Sequence, residues 1–161
     1  MLPPVDCFNG EPVAIQASIT LQGADQASLK WTFTASAALP PKVTLAPNGD
    51  LDLRALDKPV LLTLTLDDPT RQFWSGSGVD VFGYARDGDY THMKPLPPGN
   101  QEMKVVSYSP KVVTVCYRNR ARPPGDPAAP HSRYTIYLGD GGPTWLPYWI
   151  DPIISNGGNP K

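Results

Sequence analysis

Histidine, cysteine and long hydrophobic runs are all scarce in this 161-residue chain. It contains two histidines and two cysteines, and its 14 lysines and arginines against 15 aspartates and glutamates give a formal net charge of −1. A near-neutral chain produces no broad electrostatic field, so neither nucleic acid nor an anionic membrane is expected as a partner. The strongest apolar stretch is PVLLTLTL at 59–66, far shorter than the roughly 20 residues that span a bilayer.

Cys7 and Cys116 are the only two cysteines. A disulfide framework usually has about four to eight cysteines in a short secreted chain. The first residues, MLPPVDCFNGEP, also lack the basic and apolar regions of a secretory signal peptide. We therefore expect a cytoplasmic protein in which both thiols are buried and free, with a Cys7 to Cys116 disulfide as the less favoured alternative.

Prolines and glycines, 20 and 14 of them, leave little room for helices of ordinary length. Between them, apolar and polar residues alternate with a period of two, as in half-buried strands. Many short strands with turn signals between them predict an all-β fold. We expect an antiparallel immunoglobulin-like β-sandwich of seven to nine strands, with a small β-barrel as the alternative. The chain is predicted to form one domain over 1–161, with an extended C-terminal segment from about 143 to 161.

Particular strands can be assigned from this alternation. Val13–Leu21 and Val60–Leu66 are predicted as edge strands around one core. The segment KVTLAPNGDLDLR at 42–54 predicts a tight hairpin, in which Asn48 and Gly49 supply the positive φ angles of the turn. Further strands are predicted around 29–37, 78–84, 111–118 and 133–138.

Residues able to support catalysis or bind metal are few. His92 and His131 are the only possible imidazole bases, and neither lies in a recognisable nucleophile motif. Cys116 stands in mid-strand without a nearby histidine, so it does not resemble a copper or zinc ligand. The acidic residues at 87–89 are best interpreted as turn residues that bond their own backbone. We therefore predict no catalytic residue, no cofactor and no metal.

Two groups of residues stand out as a possible binding surface. Trp145, Tyr148 and Trp149 lie close together in a C-terminal segment with prolines at 143, 147 and 152, which is typical of an edge strand. Such aromatics can pack a core, form a subunit interface or stack on a ligand. The other candidates are a fourth tryptophan and three alternating basic residues that would share one face of an extended strand: Trp74, Arg118, Arg120 and Arg122.

The tail YWIDPIISNGG, preceded by RYTIYL, resembles the C-terminal signature of the DP-EP family, small bacterial all-β proteins of uncharacterised function. The resemblance covers about the last thirty residues, through Asp151, Pro152 and Asn156, with a weaker similarity at Glu11 and Pro12. It implies a bacterial β-sandwich domain and gives no catalytic residue to carry over.

The absence of a catalytic constellation and the aromatic C-terminal segment favour a non-enzymatic module that acts through protein association. The partner is either a second copy of the chain, in a homo-oligomer, or another protein. The alternative is a module that binds a glycan or another small ligand through the tryptophans and Tyr148. A hydrolase using His92 or His131 is the third and least favoured hypothesis.

Overall fold

The computed structural model describes residues 7, 11–25, 27–73, 82–86, 103–119, 131–139, 148–150 and 153–155, and this part of the chain contains strands and turns but no helix. Its strands, in chain order, are β1 (Val13–Gln22), β2 (Lys30–Ala35), β3 (Thr44–Leu45), β4 (Leu51–Asp52), β5 (Val60–Asp67), β6 (Gln72–Phe73), β7 (Phe82–Arg86), β8 (Met103–Tyr108), β9 (Val112–Tyr117), β10 (His131–Gly139), β11 (Tyr148–Ile150) and β12 (Ile153–Ser155). Seven of these twelve have five or more residues. The others are two or three residues long, too short for an alternating pattern to reveal. The all-β prediction is confirmed.

Five strands form the first sheet, sheet A, in the order β2-β1-β5-β9-β8. Its strands follow the predicted alternation closely. In β5, Val60, Leu62, Leu64 and Leu66 are buried, while the residues between them are half-buried or exposed. One face of sheet A therefore contributes to the core, and the other faces outward.

The centre of sheet A is a parallel ladder between β1 and β5, which runs from Val13 opposite Val60 to Thr20 opposite Asp67. The prediction that these two strands are sheet edges is wrong, because each is paired on both sides. The edges of sheet A are β2 and β8. At β8, which has no second neighbour among the described strands, an exposed Lys104 and a bulge between Val105 and Ser107 interrupt the edge, features that discourage pairing with another molecule.

The second sheet, sheet B, has the order β11-β10-β12-β4-β3, and β6 and β7 also pair with β10. The ladder between β4 and β12 is parallel. Eight of the ten ladders in the described part of the chain are antiparallel. The predicted antiparallel pairing therefore holds for most of the structure and fails for β1 with β5 and for β4 with β12.

A single hydrophobic cluster lies between the two sheets and takes side chains from both. Sheet A contributes Ile19 and Val115, for example, and sheet B contributes Phe73 and Leu138, all of them fully buried. The sheets also meet along the edge strand β2. There the Phe33 amide donates to the Pro47 carbonyl oxygen over 2.7 Å. The outer edge of β2 is thereby partly covered by the turn between β3 and β4.

The predicted hairpin at 42–54 is present, with Leu45 opposite Leu51. Its turn is longer than a two-residue turn, because the Gly49 amide donates to the Ala46 carbonyl and the Ala46 amide donates to the Asp50 carbonyl. Gly49 has a φ of 95°, and Asn48 is not among the residues with positive φ. This arrangement corresponds to a type I turn followed by a left-handed glycine. The prediction of positive φ angles is therefore right for Gly49 and wrong for Asn48.

The prediction of two free thiols is wrong, because Cys7 and Cys116 form a disulfide whose Cα atoms are 5.7 Å apart. The two residues are 109 positions apart in the sequence, and spacing alone could not pair them. The topology brings them together. Both β1 and β9 are neighbours of β5, so a residue a short distance before β1 can reach across β5 to Cys116 in β9.

Candidate functional site

Strand β10 connects the segments of sheet B. It pairs along one edge with β7 and then β6, and along the other edge with β12 and then β11. Every residue of β10 therefore has a neighbour on an adjacent strand, and four of the nine have one on each side: Ser132, Arg133, Ile136 and Leu138. Side chains at successive positions of β10 alternate between the core face and the outer face of the sheet.

Tyr137 lies on the outer face of β10. Its neighbours Ile136 and Leu138 are fully buried in the core, whereas Tyr137 itself is half-buried. In the ladder with β11, Tyr137 is directly opposite Trp149. Residues directly opposite each other in a ladder occupy the same face of the sheet, so this register puts the position of Trp149 next to that of Tyr137 on the outer face of sheet B.

The same register separates Tyr148 from Trp149. Tyr148 is opposite Leu138, a core residue, while Trp149 is opposite Tyr137. The sequence groups these two C-terminal aromatics as one binding surface, but adjacent positions of a strand fall on opposite faces of a sheet. Trp149 is thus the member of the pair whose position belongs to the outer face.

Partial burial has an electrostatic effect on Tyr137. Desolvation raises the pKa of its phenol above the ordinary value of 10.0, because an apolar environment disfavours the charged phenolate. The side chain is therefore neutral across the physiological range. It presents an aromatic ring with a hydroxyl group, the combination that is favoured in interfaces and in sugar-binding sites.

The outer face continues along β10 through Thr135 and Arg133. Thr135 is opposite Gly83 of β7, and Arg133 is opposite Ala85 of β7. The β7 positions are occupied by the two smallest residue types. We define the outer-face positions Arg133, Thr135, Tyr137 and Trp149 as the β10 face.

The outer face of sheet A has a different chemistry. It carries rows of hydroxyl residues, in which Thr20 is opposite Thr32 and Ser18 is opposite Thr34. On the neighbouring strands the hydroxyl oxygens of Thr63 and Thr114 are 3.2 Å apart, within hydrogen-bond distance. This face lacks aromatic residues in its central rows and is occupied near one end by the Cys7–Cys116 disulfide.

A group of charged side chains at one end of the molecule serves a structural purpose. The Lys111 ammonium donates to the carbonyl oxygens of Asp68 and Arg71, and the Arg71 guanidinium donates to the carbonyl oxygen of Gly23. The Asp68 carboxylate in turn accepts from the Arg71 amide over 2.7 Å. These contacts hold three connecting loops together, so the charges are used within the fold.

The other predicted site residues are distributed as follows. Arg118 is half-buried and directly follows β9 of sheet A, whereas Tyr148 and Trp149 belong to β11 of sheet B. His131 is the first residue of β10, opposite Ser155. The remaining candidates lie outside the described residues: Trp74, His92, Arg120, Arg122 and Trp145.

The described part of the chain contains neither a candidate metal site nor a candidate membrane-spanning helix. No group of three or more histidine, cysteine, aspartate or glutamate side chains there could hold a metal ion. Within those same ranges, no helix is long and apolar enough to cross a membrane.

Comparison of the chain with protein-family models, with curated proteins and with solved structures gives no match. The resemblance of the C-terminal segment to the DP-EP family therefore stays a prediction.

Sequence reasoning missed Tyr137 as a site residue. A signal was present in RYTIYL, because the three positions that alternate with the predicted core residues are Arg133, Thr135 and the large aromatic Tyr137. A large aromatic in the outward phase of a strand is a candidate surface residue. The pairing with Trp149 could not be found in this way, because it depends on the register between β10 and β11.

Proposed function

We propose that this protein acts by protein association through the β10 face. The observation that carries the proposal is the position of Tyr137, half-buried on the outer face of sheet B and directly opposite Trp149. Tryptophan, tyrosine and arginine are the residue types most enriched among those that dominate interface energetics. All three occur at positions of this one face.

The contrast with sheet A supports the choice of face. The outer face of sheet A is rich in threonine and serine, which are under-represented among energetically dominant interface residues. A partner placed on the positions of Tyr137 and Trp149 would meet larger apolar side chains than one placed on those hydroxyl rows.

We propose a second copy of the chain as the first partner. The net charge of −1 leaves little electrostatic repulsion between two copies. Closed symmetric dimers are the commonest oligomers of soluble proteins. Among the described strands, β11 also stands at the end of the order of sheet B, so we propose that a second copy approaches Trp149 from that side.

Sedimentation velocity over a range of protein concentrations tests this proposal. We expect the wild-type chain to sediment as a dimer or larger species, and Tyr137→Ala and Trp149→Ala to shift the distribution toward monomer at unchanged far-ultraviolet circular dichroism. Val112→Ala is the control, because Val112 is an apolar residue, 38% exposed, in sheet A. It should sediment like the wild type.

The two aromatic variants could fail to fold, so a further variant is needed. Thr135→Glu introduces a charge at the position between Arg133 and Tyr137 without removing a large side chain. Dissociation by Thr135→Glu with retained thermal stability supports the β10 face as the interface. A wild-type chain that is monomeric at every concentration contradicts self-association.

Binding of a glycan or another small ligand is the second candidate function. It is favoured by the combination of an aromatic pair with adjacent threonine and arginine positions, since a flat ring can stack on a sugar while polar groups fix its hydroxyls. Tryptophan fluorescence tests it directly. A panel of neutral sugars and small anions that leaves the emission unshifted at millimolar concentration, for a monomeric protein, contradicts this candidate.

The proposal includes no enzymatic activity and no cofactor. As finer architecture we propose an immunoglobulin-like sandwich, supported by the shared core of the two sheets and by the predominance of antiparallel ladders. The parallel ladder between β1 and β5 departs from a purely antiparallel arrangement. Membership of the DP-EP family is proposed on the C-terminal residues alone.

A further inference from the structure

A second, smaller hydrophobic cluster lies on the outer face of sheet A. It consists of Cys7 and Cys116, with Leu61 of β5 and Val106 of β8 packed against them. Leu61 is opposite Cys116 in the ladder between β5 and β9, and it alternates with Val60 and Leu62 of the main core. The disulfide is thus on the side of sheet A away from the main core.

Both cysteines of this cluster are shielded from solvent. Cys7 is 1% exposed and Cys116 is 0% exposed. The Sγ atom of Cys7 lies 3.4 Å from the carbonyl oxygen of Val60, so the bond is held against the backbone of β5. A thiolate must approach a disulfide sulfur directly in order to attack it. The folded chain offers a reductant little access to this bond.

The disulfide also encloses the central strand of sheet A. Cys7 precedes β1 and Cys116 belongs to β9, and β1 and β9 are the two neighbours of β5. The covalent link therefore passes across β5 from one side to the other. A bond in this place must form before or while the cluster closes, because afterwards its sulfur atoms are buried.

We propose that this chain folds oxidatively, by thiol–disulfide exchange with a dithiol–disulfide oxidoreductase, and that it works in an oxidising compartment outside the cytoplasm. Cytoplasmic thiols are normally kept reduced, whereas structural disulfides persist in secreted and periplasmic proteins. This proposal replaces the cytoplasmic location expected from the first residues of the sequence. It is independent of the proposed association through the β10 face.

The exchange reaction balances in two steps. One cysteine thiolate of the chain attacks the disulfide of the oxidoreductase, which forms a mixed disulfide and releases one thiolate of the enzyme. The second cysteine thiolate attacks the sulfur of the first, which forms the Cys7–Cys116 bond and releases the other enzyme thiolate. The two thiols of the chain lose two electrons and two protons in total, and the enzyme disulfide becomes a dithiol. The chain has no third cysteine, so no other internal pairing competes.

The oxidation state in the cells that naturally make the protein tests the proposal. The cells are quenched in acid, the protein is denatured, and its thiols are labelled with a maleimide of known mass before and after reduction. We expect no label before reduction and two labels per chain after it. Two labels before reduction on most of the molecules would overturn the proposal. A Cys116→Ser variant is the control for labelling, since after denaturation and reduction its single cysteine should take one label where the wild type takes two.

A second measurement tests the burial of the bond. Folded protein is exposed to dithiothreitol with and without a denaturant, and the reaction is sampled by the same labelling. We expect the folded protein to be reduced at least tenfold more slowly than the denatured protein. Equal rates would show an accessible, exchangeable bond and would contradict a structural disulfide made during folding.

Discussion

The side-chain amide of Asn119 donates to the backbone carbonyl oxygen of Leu56 over 3.1 Å, from a position that is fully buried. The same nitrogen donates to the carbonyl oxygen of Lys58 over 3.2 Å. Asn119 also has a φ of 56°, a left-handed conformation that asparagine tolerates better than most residues. One residue therefore turns the chain after β9 and satisfies two carbonyls in the loop between β4 and β5.

These two roles of Asn119 can be separated by substitution. Asn119→Ala loses both hydrogen bonds and strains the backbone, and we expect it to lower the free energy of unfolding by about 2–4 kcal/mol. Asn119→Gly loses the hydrogen bonds and adds unfolded-state entropy but avoids the backbone strain, so about 1–3 kcal/mol is expected. Urea denaturation measures both. A glycine variant less stable than the alanine variant would show that the strain at this position is smaller than the entropic cost of glycine.

Gly23 is required by both its backbone conformation and its surroundings. Its φ is +97°, and a Cβ atom added there would lie 2.2 Å from the carbonyl oxygen of Ser28. We expect Gly23→Ala to destabilise the protein by about 1–3 kcal/mol or more, through strain in the loop between β1 and β2. Thr20→Ala, an exposed change in β1, is the control; it loses only the cross-strand contact with Thr32 and should cost less than about 1 kcal/mol in the same thermal melt.

The disulfide should contribute substantially to stability. It links residues 109 positions apart, and closing a loop of about 100 residues is worth roughly 4.7 kcal/mol in the chain-entropy description, within a usual range of about 2–5 kcal/mol. We expect the Cys7→Ser, Cys116→Ser double variant to lose about that amount in urea denaturation. Wild-type protein refolded in reductant should match the variant. An unchanged denaturation midpoint would contradict this role.

Tyr137 should make the stability depend on pH in the alkaline range. Burial raises the pKa of its phenol in the folded protein above 10.0. Below about pH 10 both the folded and the unfolded states keep the proton, so Tyr137 adds no pH dependence. Above that value the unfolded chain releases the proton first, and stability falls until the pKa of the folded state is passed.

Denaturation of the wild type and Tyr137→Phe at a series of pH values from about 8 to 11 tests this dependence. The variant should lose less stability than the wild type over the upper part of the range. If the free energies of unfolding of the two proteins fall in parallel with pH, the folded environment does not raise the pKa of Tyr137.

The local elements of the fold were accessible from the sequence. Strand β5 and the hairpin around Gly49 follow from alternation and from turn chemistry, which depend on neighbouring residues only. The parallel ladder between β1 and β5 was not accessible, because it joins segments that no turn connects. The Cys7–Cys116 bond depends on that ladder and could not be derived without it.

In the candidate site, too, the residues that local sequence reveals differ from those that only strand pairing reveals. The sequence identified Trp149 and its aromatic neighbours, since their composition is unusual. It did not identify Tyr137, whose importance comes from its register opposite Trp149 and from its partial burial. The faces to which Tyr148 and Trp149 belong likewise follow from the pairing with β10.

The position of β10 near the end of the chain has a consequence for biosynthesis. All five strands of sheet A end by Tyr117, whereas β10 begins at His131. In the described part of the chain, every ladder of sheet B except the one between β3 and β4 includes β10 or β12. A nascent chain therefore makes the strands of sheet A long before their apolar inner face can be covered. A chain truncated before residue 131 would be about four-fifths of the full length and would expose the apolar face of sheet A, so chaperones would have to bind it.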